Sequence, residues 1–176
     1  MLNKKYPLAH FFDLDHIALG SAFVGFTLLW ILLAAGAWKF LAQPLLTAVF
    51  LGFGGAVLHF AGEVFHQLGH ARAARRAGAP MTGVRYWWVL GSSLYPENEA
   101  EQPPAVHIRR ALGGPVASLW LAAILAGLLL AFRPGTPAFY LTAFACLENL
   151  LVFGLGSFLP LGFTDGSTLI KYWKAR

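Results

Sequence analysis

The sequence contains very little cysteine and very little charge for its length. Cys146 is the only cysteine in 176 residues, which excludes an intramolecular disulfide and a metal cluster held by several thiolates. Charged residues make up 12% of the chain, whereas hydrophobic residues make up 57%. An average soluble domain carries about 25% charged residues. The shortage of charge therefore favours a protein that is surrounded by lipid rather than by water.

Four segments are apolar and long enough to cross a bilayer, which takes about 20 helical residues. The predicted spans are residues 17–38, 40–72, 111–132 and 137–163. Between the second and third spans, residues 81–95 are rich in β-branched and aromatic side chains, which favours a short membrane-associated β-hairpin. The expected fold is therefore an all-α integral membrane protein, a single domain over residues 1–176, with about four transmembrane helices and this hairpin.

Basic residues are distributed unevenly around these spans. If the amino terminus lies in the cytoplasm and the spans alternate, only Lys39 and Arg133 fall outside. The remaining basic residues lie on the cytoplasmic side: Lys4, Lys5, Arg72, Arg75, Arg76, Arg85, Arg109, Arg110, Lys171, Lys174 and Arg176. This bias predicts a multi-pass protein with both termini in the cytoplasm. The net charge of +5 does not indicate nucleic-acid binding, because the basic residues flank apolar runs and form no continuous patch.

The second span carries ionisable side chains along one face. A helix turns by about 100° per residue, so His59, Glu63, His66 and His70 fall within an arc of about 60°, with Gln67 at its edge. An ionisable residue at the bilayer centre costs about 2.5–3.5 kcal/mol on insertion scales, so such residues usually face the bundle interior and find partners there. One interpretation of this stripe is a set of hydrogen-bonded histidines without a metal.

A zinc site is the other interpretation. His66 and His70 are four residues apart, which is how one helix supplies two zinc ligands. A tetrahedral site needs at least one more protein ligand, and Asp165 is the candidate. It follows the fourth span in the segment SFLPLGFTDGS, where Pro160 and Gly162 would break the helix. A different cofactor, such as haem, has no further support in the sequence.

Three motifs together resemble those of the site-2 protease family of intramembrane zinc metalloproteases. HQLGHARAARRAGAP (66–80) is similar to the family's H-E-x-G-H motif, LGGPVAS (112–118) to its A-G-P-x-x-N segment, and SFLPLGFTDGS (157–167) to its N-x-L-P-x-x-x-L-D-G motif. The resemblance covers the chain from about residue 45 to residue 171. It implies zinc held by His66, His70 and Asp165 between core helices near the cytoplasmic side. It also implies that the hairpin presents an unwound transmembrane protein substrate to the metal.

Gln67 stands where this family has its catalytic glutamate, so the catalytic position holds an amide. Peptide hydrolysis needs a group that accepts a proton from the attacking water and returns it to the leaving nitrogen. A carboxylate can do so and a neutral amide cannot, and this catalysis typically contributes about 10²- to 10⁴-fold. Because glutamine is nearly isosteric with glutamate, the sequence predicts an assembled but very slow site. Ser118 and Ser157 also replace asparagines of the family and Thr164 a leucine, which favours natural divergence.

Two functions stay open at this point. One is an intramembrane protease that Gln67 impairs; the other is a proteolytically inactive scaffold, or a subunit of a larger membrane complex, that binds partner transmembrane helices. Glu63, one turn before Gln67, and Glu148, in the fourth span, are the carboxylates that could substitute for the missing base. We expect that one of them instead pairs with His59 as a buried polar link, since an unpaired buried charge is costly.

Overall fold

Helices make up most of the molecule, and two short hairpins form a small sheet. The computed structural model describes residues 1–175, so Arg176, one of the basic residues assigned to the cytoplasmic side, lies outside the described residues. The elements follow the order β1 (Lys5–Phe11), β2 (Leu14–Leu19), α1 (Gly20–Phe40), α2 (Leu45–Arg76), β3 (Gly83–Trp87), β4 (Leu90–Leu94), α3 (Pro104–Leu129), α4 (Pro137–Glu148) and α5 (Asp165–Trp173). Between α4 and α5 lie a π-helical segment, Asn149–Leu155, and a 3₁₀ turn, Gly156–Phe158.

Four helical runs are apolar and long enough to cross a membrane. They are Gly20–Phe40, Leu45–Arg76, Pro104–Leu129 and Pro137–Phe158, the last of which combines α4 with the π-helical segment and the 3₁₀ turn. Large apolar side chains are exposed on all of them, including Leu32, Phe50, Trp120 and Leu151. A soluble protein rarely exposes so much contiguous apolar surface. These surfaces suit contact with a lipid bilayer, and the chain is an integral membrane protein.

The fourth helical run ends earlier than the sequence indicated. The expected fourth span reached residue 163, whereas the helical run stops at Phe158 and the chain then follows an irregular path to Thr164. Pro160 explains the difference, because proline lacks an amide hydrogen and its ring clashes with the preceding helical turn. Gly162 follows with a φ of +86°, a conformation that glycine adopts readily. This break turns the chain so that α5 can start at Asp165.

The sheet has four strands in the order β1-β2-β3-β4, twice the number that the sequence indicated. The pairs β1–β2 and β3–β4 are antiparallel hairpins, and β2 joins them by parallel pairing with β3. The hairpin expected over residues 81–95 corresponds to β3 and β4. The first hairpin was not expected, and residues 17–19, assigned to the first span, belong to β2. The fold is therefore mostly helical with a mixed sheet, and not all-α with one hairpin.

The sheet packs on α2 through a small apolar core. Buried residues of β2, β3, the ends of α1 and α2, and the connection before β3 form this core: Leu14, Ala18, Ala22, Ala74, Met81, Val84 and Tyr86. Every second residue of β2 faces it, since Leu14, His16 and Ala18 are buried and their neighbours are not. Strand β4 lies at the edge of the sheet, where it contacts α2. The packing thus places the edge strand beside the helix that carries the histidines.

Helices α2 and α3 cross at a pair of glycines. A Cβ atom on Gly69 would collide with the carbonyl oxygen of Gly113, and a Cβ atom on Gly113 would collide with that of Gly69. Ala117 and Ala73 would lie 2.6 Å and 2.7 Å from these added atoms. Small residues allow the backbones of membrane helices to approach closely. The crossing brings the next residue of α3, Gly114, against the histidines of α2.

Substitution of Gly113 by alanine should destabilise the protein, because the added methyl group has no space at the crossing. We expect a loss of about 1–3 kcal/mol, the usual cost of overpacking, measured as a lower Tm in detergent. Gly127→Ala is the matched control, since Gly127 lies in the same helix with nothing within 4 Å of its added Cβ. That variant should be neutral or slightly more stable. Equal Tm values for the two variants would contradict the close crossing.

Candidate metal centre

The structure brings together the three side chains that the sequence proposed as metal ligands. His66 and His70 project from α2, and Asp165 is the first residue of α5. The Nε2 atoms of the two histidines are 2.9 Å apart. His66 Nε2 lies 3.3 Å from Asp165 Oδ2, and His70 Nε2 lies 3.3 Å from Asp165 Oδ1. One potential ligand atom from each residue therefore lies within 4.8 Å of the others.

The other nitrogen of each imidazole ring is held by α3. His70 Nδ1 is 2.7 Å from the carbonyl oxygen of Arg110, and His66 Nδ1 is 3.0 Å from Ser118 Oγ. The contact with the Arg110 carbonyl directs the Nδ1 side of the His70 ring towards α3 and its Nε2 side towards His66 and Asp165. Metal-binding histidines usually have such a second partner, which fixes the ring and the tautomer. Two oriented imidazoles and one carboxylate are a donor set that suits zinc.

Gly114 leaves the space into which the histidines point. A Cβ atom at this position would collide with Nε2 of both His66 and His70. Any residue larger than glycine would therefore block the meeting point of the three potential ligands. The sequence motif LGGPVAS contains Gly114 and Ser118, but sequence reasoning assigned neither a place beside the histidines. The motif could have located them, because Gly114 and Ser118 are four residues apart in it and therefore lie on the same side of α3, the side that faces α2.

The Asp165 carboxyl group lies between burial and the two histidines, which act on its pKa in opposite directions. Its side chain is 17% exposed, and burial favours its neutral form. Hydrogen bonds with His66 and His70 outweigh this effect and lower the pKa of Asp165 to about 2. The residue after Asp165 is closely packed, because Gly166 lies against the main chain of Phe158 with no room for a Cβ atom. The helix break after Phe158 thus delivers a fixed negative charge to the two histidines.

Gln67 is held from both ends of its amide group. Its Nε2 donates to Glu63 Oε1 at 2.9 Å, and its Oε1 accepts a hydrogen bond from Ser93 Oγ at 2.8 Å. Gln67 and Glu63 are both buried, each with 4% exposure. The Ser93 hydroxyl comes from β4, so the sheet edge helps to orient the amide. These contacts fix the amide but give the position no group that accepts a proton.

Glu148 pairs with His59, as the expected buried link. His59 Nδ1 lies 2.6 Å from Glu148 Oε1, and His59 Nε2 lies 2.7 Å from the carbonyl oxygen of Val89. The histidine therefore joins α2, α4 and the turn between β3 and β4. Glu63, the other carboxylate that we expected could pair with His59, accepts a hydrogen bond from Gln67 instead. Of the two carboxylates that could substitute for a base, only Glu63 contacts Gln67.

A cavity of about 500 Å³ connects these groups. Its inner wall includes Glu63, Gln67 and the three potential ligands. One side is formed by residues of β4 and the other by residues 151–157 of the π-helical segment and the 3₁₀ turn. We call this space the ligand cavity. It is large enough for a short extended peptide beside the sheet edge.

Comparisons with known proteins identify relatives of this chain. No model of a known protein family matches the sequence. The chain is 36% identical over 123 residues to the "Putative zinc metalloprotease Rip3" of Mycobacterium tuberculosis, which covers 69% of this chain and 31% of that protein. It is 31% identical over 127 residues to the "Putative zinc metalloprotease MJ0611" of Methanocaldococcus jannaschii, which covers 63% of this chain and 65% of that protein.

A solved structure has the same fold. The "Site-2 Protease from Methanocaldococcus jannaschii" superposes on the chain with a TM-score of 0.66. The match covers 98% of this chain and 72% of that one, at 14% sequence identity, which shows the fold alone. The chain spans less than a third of the length of Rip3 and just under two thirds of MJ0611.

Replacement of Asp165 by asparagine should weaken zinc binding, because it removes the negative charge while keeping the shape of the side chain. We expect about one zinc per chain in the unaltered protein and a loss of affinity of at least about tenfold in Asp165→Asn. The measurement is zinc content by mass spectrometry after dialysis against a series of chelator concentrations. Asp15→Asn is the control, since the Asp15 side chain is 69% exposed and contacts His10. Equal zinc retention by the two variants would contradict the assignment of Asp165.

Proposed function

Because this chain belongs to the site-2 protease-like family of membrane zinc metalloproteases, we propose that it holds zinc with His66, His70 and Asp165 and hydrolyses transmembrane protein substrates only slowly. The convergence of two imidazole Nε2 atoms and one carboxylate carries this proposal. Zinc at this position would supply Lewis-acid chemistry, which polarises a peptide carbonyl and makes water a stronger nucleophile. The proposal places the site in the membrane-embedded part of the protein, with both termini in the cytoplasm.

The residues around the ligands have defined roles in this proposal. The Arg110 carbonyl and Ser118 hydroxyl orient the two imidazoles, and the fixed charge of Asp165 completes the set of ligands. The edge strand β4 borders the ligand cavity, so its unpaired main-chain groups are available to an extended substrate. Pairing with a free strand edge is a common way to bind a peptide main chain. The substrate segment would therefore lose its helical structure beside β4.

Gln67 makes the proposed reaction slow. Its amide nitrogen donates to Glu63 and its amide oxygen is bound by Ser93, so neither atom takes a proton from water. The missing base corresponds to a rate loss of about 10²- to 10⁴-fold. Glu63 is the carboxylate that would have to replace it. Its Oε1 atom is occupied by Gln67, so it would need an intervening water to reach a substrate.

The second candidate function is a proteolytically inactive scaffold or a subunit of a larger membrane complex. The firmly held amide of Gln67 favours it, because both ends of the amide group are hydrogen-bonded and neither is a base. Such a protein would bind a partner transmembrane helix in the ligand cavity without cleaving it. The two candidates share the fold and the zinc site, and they differ in whether a restored base produces hydrolysis.

Restoring a carboxylate at position 67 should accelerate hydrolysis, most strongly when Glu63 is changed with it. Gln67→Glu alone places two carboxylates at a distance of about 2.9 Å, where they must share a proton, and this weakens the new base. The double variant Glu63→Gln with Gln67→Glu keeps the hydrogen bond with donor and acceptor exchanged. We expect it to cleave a labelled transmembrane helix containing helix-breaking residues about 10²- to 10⁴-fold faster in zinc-loaded proteoliposomes.

Two further variants make this test decisive. Adding Asp165→Asn to the double variant should abolish the gained activity, because the gain depends on the metal. Glu63→Gln alone should leave the slow cleavage unchanged, whereas a further loss would identify Glu63 as a substitute base. If the double variant binds zinc and still cleaves no faster, the protease proposal fails and the scaffold is favoured.

A further inference from the structure

A second groove lies between α2 and α3 and is separate from the ligand cavity. Its volume is about 620 Å³, and it shares no lining residue with the ligand cavity. The crossing glycines, Gly69 and Gly113, form its floor together with Ala73 and Ala117. These small residues leave an open channel where larger side chains would fill the space between the helices. We call this space the interhelical groove.

One end of the interhelical groove is strongly positive. Arg72 and Arg76 lie one turn apart at the end of α2, and Arg109 lies near the start of α3. All three are exposed, and within residues 1–175 none has an acidic partner. The neighbouring arginines differ, because Arg75 pairs with Asp13 at 3.1 Å and Arg110 pairs with Glu99. Three arginines without an acidic partner among the described residues thus meet at one end of this groove.

The rest of the interhelical groove is apolar. Leu112, Val116 and Trp120 follow one another at intervals of four residues along α3, with exposures of 38%, 47% and 68%. Phe65 of α2 lies opposite and is 38% exposed. At a rise of 1.5 Å per residue, this apolar strip extends for about 12 Å from Leu112 towards the middle of the span. The groove therefore has a cationic end and an apolar body.

We propose that the interhelical groove binds one anionic phospholipid. Its phosphate would contact the three arginines, which bind phosphate oxygens through paired N–H groups. One acyl chain would lie along the strip formed by Leu112, Val116 and Trp120. Basic pockets between transmembrane helices are typical binding sites for anionic lipid headgroups. The bound lipid would neutralise the mutual repulsion of the arginines and hold α2 against α3, the two helices that position His66 and His70.

The test uses the full chain and phospholipids with brominated acyl chains, which quench tryptophan fluorescence on contact. Detergent-solubilised protein is titrated with brominated phosphatidylglycerol or brominated phosphatidylcholine. The quenching due to Trp120 is the part of the signal that is lost in the variant Trp120→Phe. Trp38→Phe removes an exposed tryptophan outside the groove, and it is the control that shows how much quenching arises elsewhere on the protein. We expect phosphatidylglycerol to bind at least about tenfold more tightly than phosphatidylcholine, since each arginine near an anionic lipid contributes about fivefold.

Charge removal completes the test. The variant Arg72→Gln with Arg76→Gln and Arg109→Gln should bind phosphatidylglycerol no more tightly than phosphatidylcholine. The control Lys4→Gln with Lys5→Gln and Lys174→Gln removes three charges outside the groove and should keep the preference. Arg109→Gln alone should bind phosphatidylglycerol with an affinity between those of the unaltered protein and the triple variant. This single variant replaces the triple variant in the test if the triple variant does not fold.

Several results would overturn the proposal. These are equal quenching by the two lipids in the unaltered protein, and an equal loss of preference in the lysine control. Competition by soluble glycerol 3-phosphate as strong as that by the lipid would assign the site to a free phosphate. If a co-purified protein chain prevents both lipids from quenching Trp120, the groove binds a protein partner and not a lipid.

Discussion

The approach of two imidazole Nε2 atoms to one carboxylate is the constraint around which the helices are arranged. It joins α2 to α5, and it requires α3 to come close without filling the space between them. Gly114 meets this requirement, and the Gly69–Gly113 crossing allows the whole of α3 to approach. The helix break after Phe158 is needed as well, because a continuous helix would carry Asp165 away from α2. The two glycine contacts and the helix break thus all serve to bring His66, His70 and Asp165 together.

The environment of Gln67 shows that its identity is linked to that of Glu63. A neutral amide can donate to the buried Glu63 carboxylate, whereas a glutamate at position 67 would repel it. Ser93 then donates to the amide oxygen, so the three side chains form a chain of hydrogen bonds. Loss of a base at position 67 and retention of a carboxylate at position 63 are therefore compatible parts of one arrangement.

The sequence indicated the potential metal ligands more accurately than it indicated the strands of the β-sheet. The spacing of His66 and His70 and the helix-breaking residues before Asp165 made these three residues candidates, and the resemblance to site-2 proteases implied that they meet. The cost of an unpaired buried charge predicted that Glu148 or Glu63 contacts His59, and Glu148 does so. The contacts of Ser118 and Ser93 were not predictable, because their partners lie 52 and 26 residues away and follow no local period. The first hairpin was missed because the alternating residues of β2 run directly into the apolar residues of α1. The apolar run of α1 therefore concealed the end of β2 in the sequence.

The contacts of His59 affect how the ligand cavity could open. Both of its ring nitrogens face oxygen atoms, one on Glu148 of α4 and one on Val89 at the hairpin turn. Moving the hairpin away from α2 would leave a ring nitrogen of the buried His59 and the part-buried Val89 carbonyl without partners, which costs free energy on both sides. Moving α4 away would likewise separate His59 from Glu148. Because His59 belongs to α2, widening the ligand cavity on this side has to break at least one of its two contacts, and the histidine thereby sets a free-energy cost on opening.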